Sequence, residues 1–463
     1  MPVFMPCLPA RLPAPRLPVP SGAPAARKGR WLAAAGCALL AGCAHYAPLP
    51  LPARPALAPG VAALAQPPAS ERPLGIAEVA ALALANNPDL KAVRLRDAVA
   101  RGQTRQAGLL PNPQVTGAFL PLLSGVGTVS AWNAGLAQNL RAIVTYRAHL
   151  RAAQDSQQQV AADIVWQEWQ VAGQARQLAA DIIMGEQARP AYAETLALLA
   201  DRNARLEQAM AQGQATLAQL APDRAALQAA RAALDAQDQR QLALRQQLNA
   251  LLGLRPDAPL PLVAEPDLPP FAPAALRAGL ASLPDRRPDL IALRCGYAAA
   301  DEGVREAIRA QFPDLVLGGG IASDNSKVIS GGPNAALGLP VFDRNQGQIA
   351  IARATRARLR AEYDARLSAV VGEVEALLAQ YAQISAQLER LRQELPAART
   401  AARQAAAALH AGTIDERAFA DLAANRLARE QEFTSLQTAA LDRQIALQTL
   451  TGDGLPTITG TPQ

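Results

Sequence analysis

Few side chains in this sequence are of types that do chemistry, and fewer are spaced for it. Its three histidines, His45, His149 and His410, are scattered along the chain, with none of the spacing that brings two imidazoles to one metal ion. Gly318-Gly319-Gly320 opens no dinucleotide-type helix start, and no Gly-x-Ser-x-Gly elbow presents a serine nucleophile. After residue 42 the only methionines are Met184 and Met210, so no Met/His cluster offers a soft metal site. An enzyme, a cofactor and a resident metal are therefore not expected. Two features remain: Cys43, and a short charged cluster after Gly412 made of Asp415, Glu416, Arg417 and Asp421.

Cys43 draws its meaning from what precedes it. Arg27-Lys28-Gly29-Arg30 is a positively charged start, Trp31 to Leu39 a short apolar run, and Leu40-Ala41-Gly42 a set of small residues ending at the cysteine. That order is a secretory signal, too short to span a bilayer as a helix. Leu-Ala-Gly-Cys also resembles the bacterial lipobox, which implies cleavage before Cys43 and acylation of its thiol and amine. Several acyl chains at about 0.8 kcal/mol per buried methylene anchor a protein firmly. Cys37, after Ala34-Ala35-Gly36, is a weaker candidate, and the Pro-rich stretch before Arg27 departs from an ordinary signal. Ala44, where an aspartate would resemble an inner-membrane retention signal, points to outer-membrane delivery. With Cys7 and Cys37 removed and Cys43 acylated, Cys295 has no intramolecular disulfide partner, and it is expected to be a buried small side chain.

Charge excludes another class. The net charge is +6, but Arg11, Arg16, Arg27, Lys28 and Arg30 lie in residues 1–42 with no acid among them. The mature chain is close to neutral and has no basic stripe with interleaved aromatics, so nucleic-acid binding is not indicated. Half of the 463 residues are hydrophobic and only 4% aromatic. Long stretches rich in Ala, Leu, Gln and Arg without Gly or Pro read as long packed helices.

The elements come in duplicate. Asn87-Pro88-Asp89-Leu90 recurs as Arg287-Pro288-Asp289-Leu290 at an offset of 200 residues, and Leu248-to-Gly253 recurs as Leu447-to-Gly452 at 199. Gly213 and Gly412 are also 199 apart. Each unit reads as a first helix (about Ile76 to Leu109, and Arg287 to Gln311), two strands, a very long helix (about Ala142 to Gln212, and Gln346 to Ala411), a glycine turn and a returning helix. The strands are expected at Gln114 to Leu123 and Thr128 to Leu140, and at Asp314 to Ser323 and Ala335 to Phe342. Pro190 and Pro396 are expected to kink or briefly break the long helices. Leu227, Ala230, Leu234, Leu244, Leu248 and Leu251 fall on a heptad seam with Gln237 and Gln241 as polar exceptions. Phe433, Leu436, Ala440, Leu447 and Leu450 repeat the seam, which predicts coiled-coil packing of outgoing and returning helices. Four short strands cannot close a barrel, yet only closure satisfies strand backbone in lipid. If the strands lie in a membrane, the chain must oligomerise.

At this point the sequence resembles the TolC-like outer membrane efflux family over residues 74–452. Leu82 to Leu90, Gln106 to Gln114, and Leu339-Pro340-Val341-Phe342-Asp343-Arg344-Asn345-Gln346-Gly347-Gln348-Ile349-Ala350 carry the likeness. The first copy departs from the pattern at Asn139-Leu140-Arg141-Ala142-Ile143-Val144. The resemblance implies a mainly α fold with a small β part: a homotrimer with a twelve-stranded outer-membrane barrel and a long α-helical barrel reaching into the periplasm. It implies that the tips at Gly213 and Gly412 dock a periplasmic adaptor and, through it, an inner-membrane pump of the RND type. Phe342 to Gly347 resembles the heavy-metal branch more than the drug branch.

The organisation expected is a lipoprotein signal (1–42), a linker after lipidated Cys43 (43–73), a first repeat (74–253), an equatorial linker (254–285), a second repeat (286–452) and a tail (453–463). In the family, acidic residues after the second tip form rings that narrow the entrance. Asp421, nine residues past the turn glycine, holds such a position, with Asp415 and Glu416 nearer the tip, while Ala418 stands where a second ring is often acidic. Three copies of a carboxylate around an axis would attract cations. The same acids also suit the N-terminus of a solvated helix, and both readings stand. Arg417 would supply tip ion pairs. A periplasmic adaptor or a structural coiled-coil lipoprotein are the competing classes; the first lacks the duplication and the second needs no strands.

Overall fold

The computed structural model describes residues 46–69, 72–269 and 271–453, so Cys43 and the signal lie outside the described residues. Residues up to Leu57 form a unit of their own, exposed and irregular where described. The second unit, from Ala58 on, carries every element below. In chain order these are α1 (Ile76–Asn86), α2 (Pro88–Ala107), β1 (Gln114–Leu120), β2 (Ala131–Asn139), α3 (Arg141–Ala211), α4 (Leu217–Leu252), α5 (Pro273–Gly279), α6 (Pro288–Arg309), β3 (Leu315–Ser323), β4 (Ile329–Leu337), α7 (Gln346–His410) and α8 (Glu416–Thr451).

The long helices follow from composition. α3 has 71 residues and α7 has 65, each about 100 Å at 1.5 Å per residue. Pro190 and Pro396 do not end them, contrary to the breaks expected. A proline removes one backbone bond, and in so long a packed helix the neighbouring turns hold. The heptad seam of α4 is the face that packs: Leu227, Ala230, Leu234, Gln237, Gln241, Leu244 and Leu248 are shielded, while the residues between them are mostly exposed. The two glutamines belong to the seam because they bond the facing backbone. Gln237 Nε2 donates to Gly185 O at 3.1 Å, and Gln241 Nε2 to Asp181 O at 3.5 Å.

The first helix of copy one is two helices. Asn87 breaks it by capping α2, its Oδ1 accepting from Leu90 N–H at 2.8 Å, with Pro88 in the first turn. Around the middle of the long helices the linkers fold back as short bridges, Ala58 beside Leu254 and Leu74 beside Leu262. They close a core of Ile76, Val79, Leu178, Ile182, Ile183, Leu248 and Leu252. Copy two has a smaller core of Leu276, Val374, Leu378 and Leu447, with Phe271 edge-on to Tyr381 at 4.9 Å. Cys295 is buried, its Sγ 3.9 Å from Gln158 Oε1.

The four strands form one antiparallel sheet in chain order. β4 begins at Ile329 and ends at Leu337, earlier than the Ala335-to-Phe342 run expected. Gly331-Gly332-Pro333 had the composition of a loop, yet Pro333 is opposite Gly319 inside the strand. Proline is tolerated there because β4 is an edge strand of this chain. Gly318 and Gly320 are needed for close approach: a β-carbon at Gly318 would lie 2.5 Å from Leu136 O, and one at Gly320 2.9 Å from Ala134 O. Among the described residues no helix is long and apolar enough to cross a membrane.

Candidate functional site: a two-faced sheet and two hairpin tips

The register sorts the sheet into two unlike faces. Cross-strand partners place Val115, Leu136 and Pro333 on one side with Ala134, Ile321, Phe119, Trp132, Ile329, Leu317 and Ala335. Gln114, Thr116, Asn133, Ser330 and Asn334 share the other side with Gly135, Gly318, Gly320 and Gly332. The apolar face is open: Val115 is 82% exposed, Phe119 70% and Ile329 71%. The first face is the more apolar, interrupted by Gln138 and Ser323, and the second mixes small and polar residues with Leu120 and Val316; with no charge on either, this uneven division is the pattern of a wall between lipid and a watery lumen. Among the described residues neither edge strand, β1 or β4, has a second partner.

Short polar motifs hold the strands onto the helices. Asn139 Oδ1 accepts from Arg141 N–H at 2.9 Å, and Asp343 Oδ1 from Asn345 N–H at 2.8 Å, so the same i to i+2 turn serves both copies despite their different sequences. Arg141 then pairs with Asp314 at 3.1 Å and donates to Ala310 O at 2.8 Å.

At the opposite end both hairpins turn alike. Gly213 and Gly412 adopt left-handed φ of 72° and 69°, which glycine takes without a β-carbon clash. Gly213 N–H donates to Met210 O and Gln214 N–H to Ala209 O, while Gly412 and Thr413 repeat this to Leu409 and Ala408. This is the Schellman arrangement. The return helices are capped through Thr216, whose N–H donates to Gln219 Oε1 at 2.9 Å, and Asp415, whose Oδ1 accepts from Ala418 N–H at 2.7 Å.

Of the charged cluster, Asp415 is thus spent on capping, Glu416 opens α8, and Arg417 is exposed in its first turn. Asp421 is separate from them. Its carboxylate is two-thirds exposed and 3.5 Å from Arg202 Nη1 on α3, whose Nε holds Asp223 of α4 at 3.0 Å. A second network lies one step up the bundle: Arg426 of α8 pairs with Glu194 of α3 and, at 3.0 Å, with Glu430, which binds Arg399 of α7 at 2.9 Å. Arg202, Asp223, Glu194, Arg426 and Glu430 were not singled out by sequence. Only Arg426 and Glu430 carried a signal, their four-residue spacing; the others meet across helices. Among the described residues no three potential metal ligands cluster.

Two long helical hairpins under a two-faced antiparallel sheet define the fold of outer-membrane channels. Residues 280–453, which span the second repeat, match the family described as outer membrane efflux protein. No curated protein matches the chain significantly in sequence. Among solved structures, VceC, an outer membrane protein of Vibrio cholerae, superposes with TM-score 0.66 at 20% identity, covering 82% of this chain and 97% of its own. The Campylobacter jejuni outer membrane channel CmeC gives 0.66 at 16% identity, covering 89% and 95%. CusC, whose structures describe transmembrane channel formation, gives 0.65 at 20%, covering 88% and 99%. Identities this low speak for a shared fold.

Proposed function

We propose that three copies of this chain close a twelve-stranded barrel in the outer membrane and continue below it as a helical barrel, forming the exit duct of a tripartite efflux pump. The observation that carries this reading is the sheet: a largely apolar open face, a second face of mostly small and polar residues, and two edges with no further partner among the described residues. Pairing β4 of one copy with β1 of the next satisfies both edges, which lipid requires. In this reading the chain conducts small molecules or ions delivered by an inner-membrane pump and catalyses nothing. The tips at Gly213 and Gly412 dock a periplasmic adaptor, and Cys43, freed of residues 1–42, anchors each copy by its acyl chains. Asp421 lines the periplasmic entrance and, through Arg202, ties α8 to α3 in a closed resting state.

An adaptor or a coiled-coil lipoprotein would have no use for the sheet. The test is the mass of the membrane-extracted protein by light scattering, corrected for bound detergent, followed by conductance in a planar bilayer. A conducting trimer supports the duct; a stable monomer under mild extraction overturns it.

A further inference from the structure

One group of half-buried charges lies far from both the barrel and the tips and has no part in either. Asp181 of α3 and Asp442 of α8 come from different repeats, yet they meet where these helices pack: Asp181 is one turn from Gln177, which reaches Asp442, and each carboxyl acts on the other. Gln177, one turn before Asp181, donates to Asp442 Oδ1. Asp181 Oδ1 is buried with no hydrogen-bond partner among the described residues, as is Arg443 Nε on α8. The charged groups acting on the pair are Arg240 of α4 and Arg443. Neither makes a hydrogen bond to the pair, and Arg240 is exposed. The α4 side of the site is closed by Gln237 and Gln241, which bond the backbone at Gly185 and Asp181.

Two neighbouring carboxylates partly shielded from water repel unless one of them holds a proton. Burial first, and then the Asp181 charge, push the Asp442 carboxyl up to about 6; burial likewise raises Asp181. The folded protein thus holds a proton near pH 6 that the unfolded chain has already lost. The stabilisation is present at acid pH and disappears as pH rises through about 6.

We propose that Asp181 and Asp442 form a proton-operated clamp between the two repeats: a proton held by the pair ties α8 to α3, and its loss sets two like charges against each other and loosens that contact. Because Arg202–Asp421 and Glu194–Arg426 join the same two helices nearer the tip, loosening at 181 and 442 favours opening of the periplasmic end. This consequence rests on the channel reading; the clamp itself rests on the α3–α8 contact alone.

The experiment compares wild type with Asp442→Asn and Asp181→Asn, extracted full-length protein, between pH 5 and pH 8. Each asparagine keeps the shape and removes one charge. The expected thermal profile of wild type falls with rising pH through an inflection near 6, and the asparagine variants lack that inflection. At pH 8 the variants melt above wild type. Histidine protonation contributes to all three proteins alike and cancels in the comparison. Parallel profiles, or variants melting below wild type at pH 8, overturn the clamp. In a planar bilayer, wild-type conductance is expected to rise several-fold from pH 5.5 to 7.5, with Asp442→Asn staying at the acid level. A pH response unchanged in Asp442→Asn overturns the link to opening. Absence of any conductance would count against the channel reading and leave the thermal profiles to decide the clamp.

Discussion

Asn87 and Arg287 hold equivalent positions 200 residues apart, and each donates a side-chain hydrogen bond to a carbonyl near the end of the return helix of its own repeat. Asn87 Nδ2 reaches Leu251 O at 2.8 Å and Arg287 Nη1 reaches Leu450 O at 3.4 Å. The amide also caps α2. The guanidinium cannot cap; it pairs with Asp289 at 2.7 and 3.0 Å and lies 4.5 Å over the Trp166 ring. Two chemistries close the same joint, so the duplication survives in geometry after it has faded in residue type.

The two joints should fail differently. Asn87→Ala removes a cap and leaves the half-buried Leu251 carbonyl without this donor, a cost of about 2 kcal/mol. Arg287→Ala leaves Asp289 buried with the Leu290 N–H at 3.0 Å and Arg366 at 3.7 Å as its remaining partners, a cost of roughly 3 kcal/mol or more. Denaturant unfolding in detergent should therefore place Arg287→Ala below Asn87→Ala, and both below wild type. The opposite order would mean that the ion pair is not what holds the joint.

The strand faces make a paired prediction. Phe119 and Thr116 lie three residues apart on β1, on opposite faces of the sheet. An arginine facing lipid near the bilayer midplane costs about 2–4 kcal/mol, whereas lumen substitutions mainly alter conduction. Phe119→Arg should reduce the trimer recovered from outer membranes; Thr116→Arg should leave recovery intact and lower single-channel conductance. Equal loss of recovery would mean that the faces are not divided between lipid and water.

What the sequence made legible was whatever repeats or has a period. The heptad seam on α4, the tip glycines and the doubled Pro-Asp-Leu starts are local patterns, and the structure has each where the pattern places it. β4 was misread because Gly331-Gly332-Pro333 has loop composition and only strand pairing gives it another use. The Arg202–Asp421, Arg426–Glu194 and Asp181–Asp442 contacts join residues more than 200 positions apart. No local pattern marks which charged residue of one long helix meets which of another. Asp421 was reached by family resemblance and its partner was not.

Cys43 lies outside the described residues, and its role rests on the lipobox alone. Cys43→Ser should abolish incorporation of labelled palmitate and leave an uncleaved or unacylated chain of different mass on mass spectrometry. Acylation that persists and moves to Cys37 would shift the anchor and not the class. A wild-type chain that takes up no label would remove the lipoprotein reading while leaving the barrel untouched.

The tip offers the sharpest separation of two roles in one residue. Asp421 is bonded to Arg202 and also two-thirds exposed, so it can both hold α8 to α3 and present charge to the entrance. Arg202→Ala removes the tie, together with the Arg202 bond to Asp223 of α4, and leaves the Asp421 carboxylate in place. Exposed ion pairs contribute about 1 kcal/mol at most, so the single change should raise open probability by a factor of about five or less, with cation preference kept. Asp421→Ala should give a similar rise but lower cation preference, because the carboxylate itself is gone. Arg426→Ala, which frees Glu194 and leaves Glu430 only its bond to Arg399, should open the tip further than either. Reversal potentials in a salt gradient read the preference and open probability reads the tie. If Asp421→Ala and Arg202→Ala match in both, Asp421 acts only as a strut, and the charge at the entrance comes from elsewhere on α8.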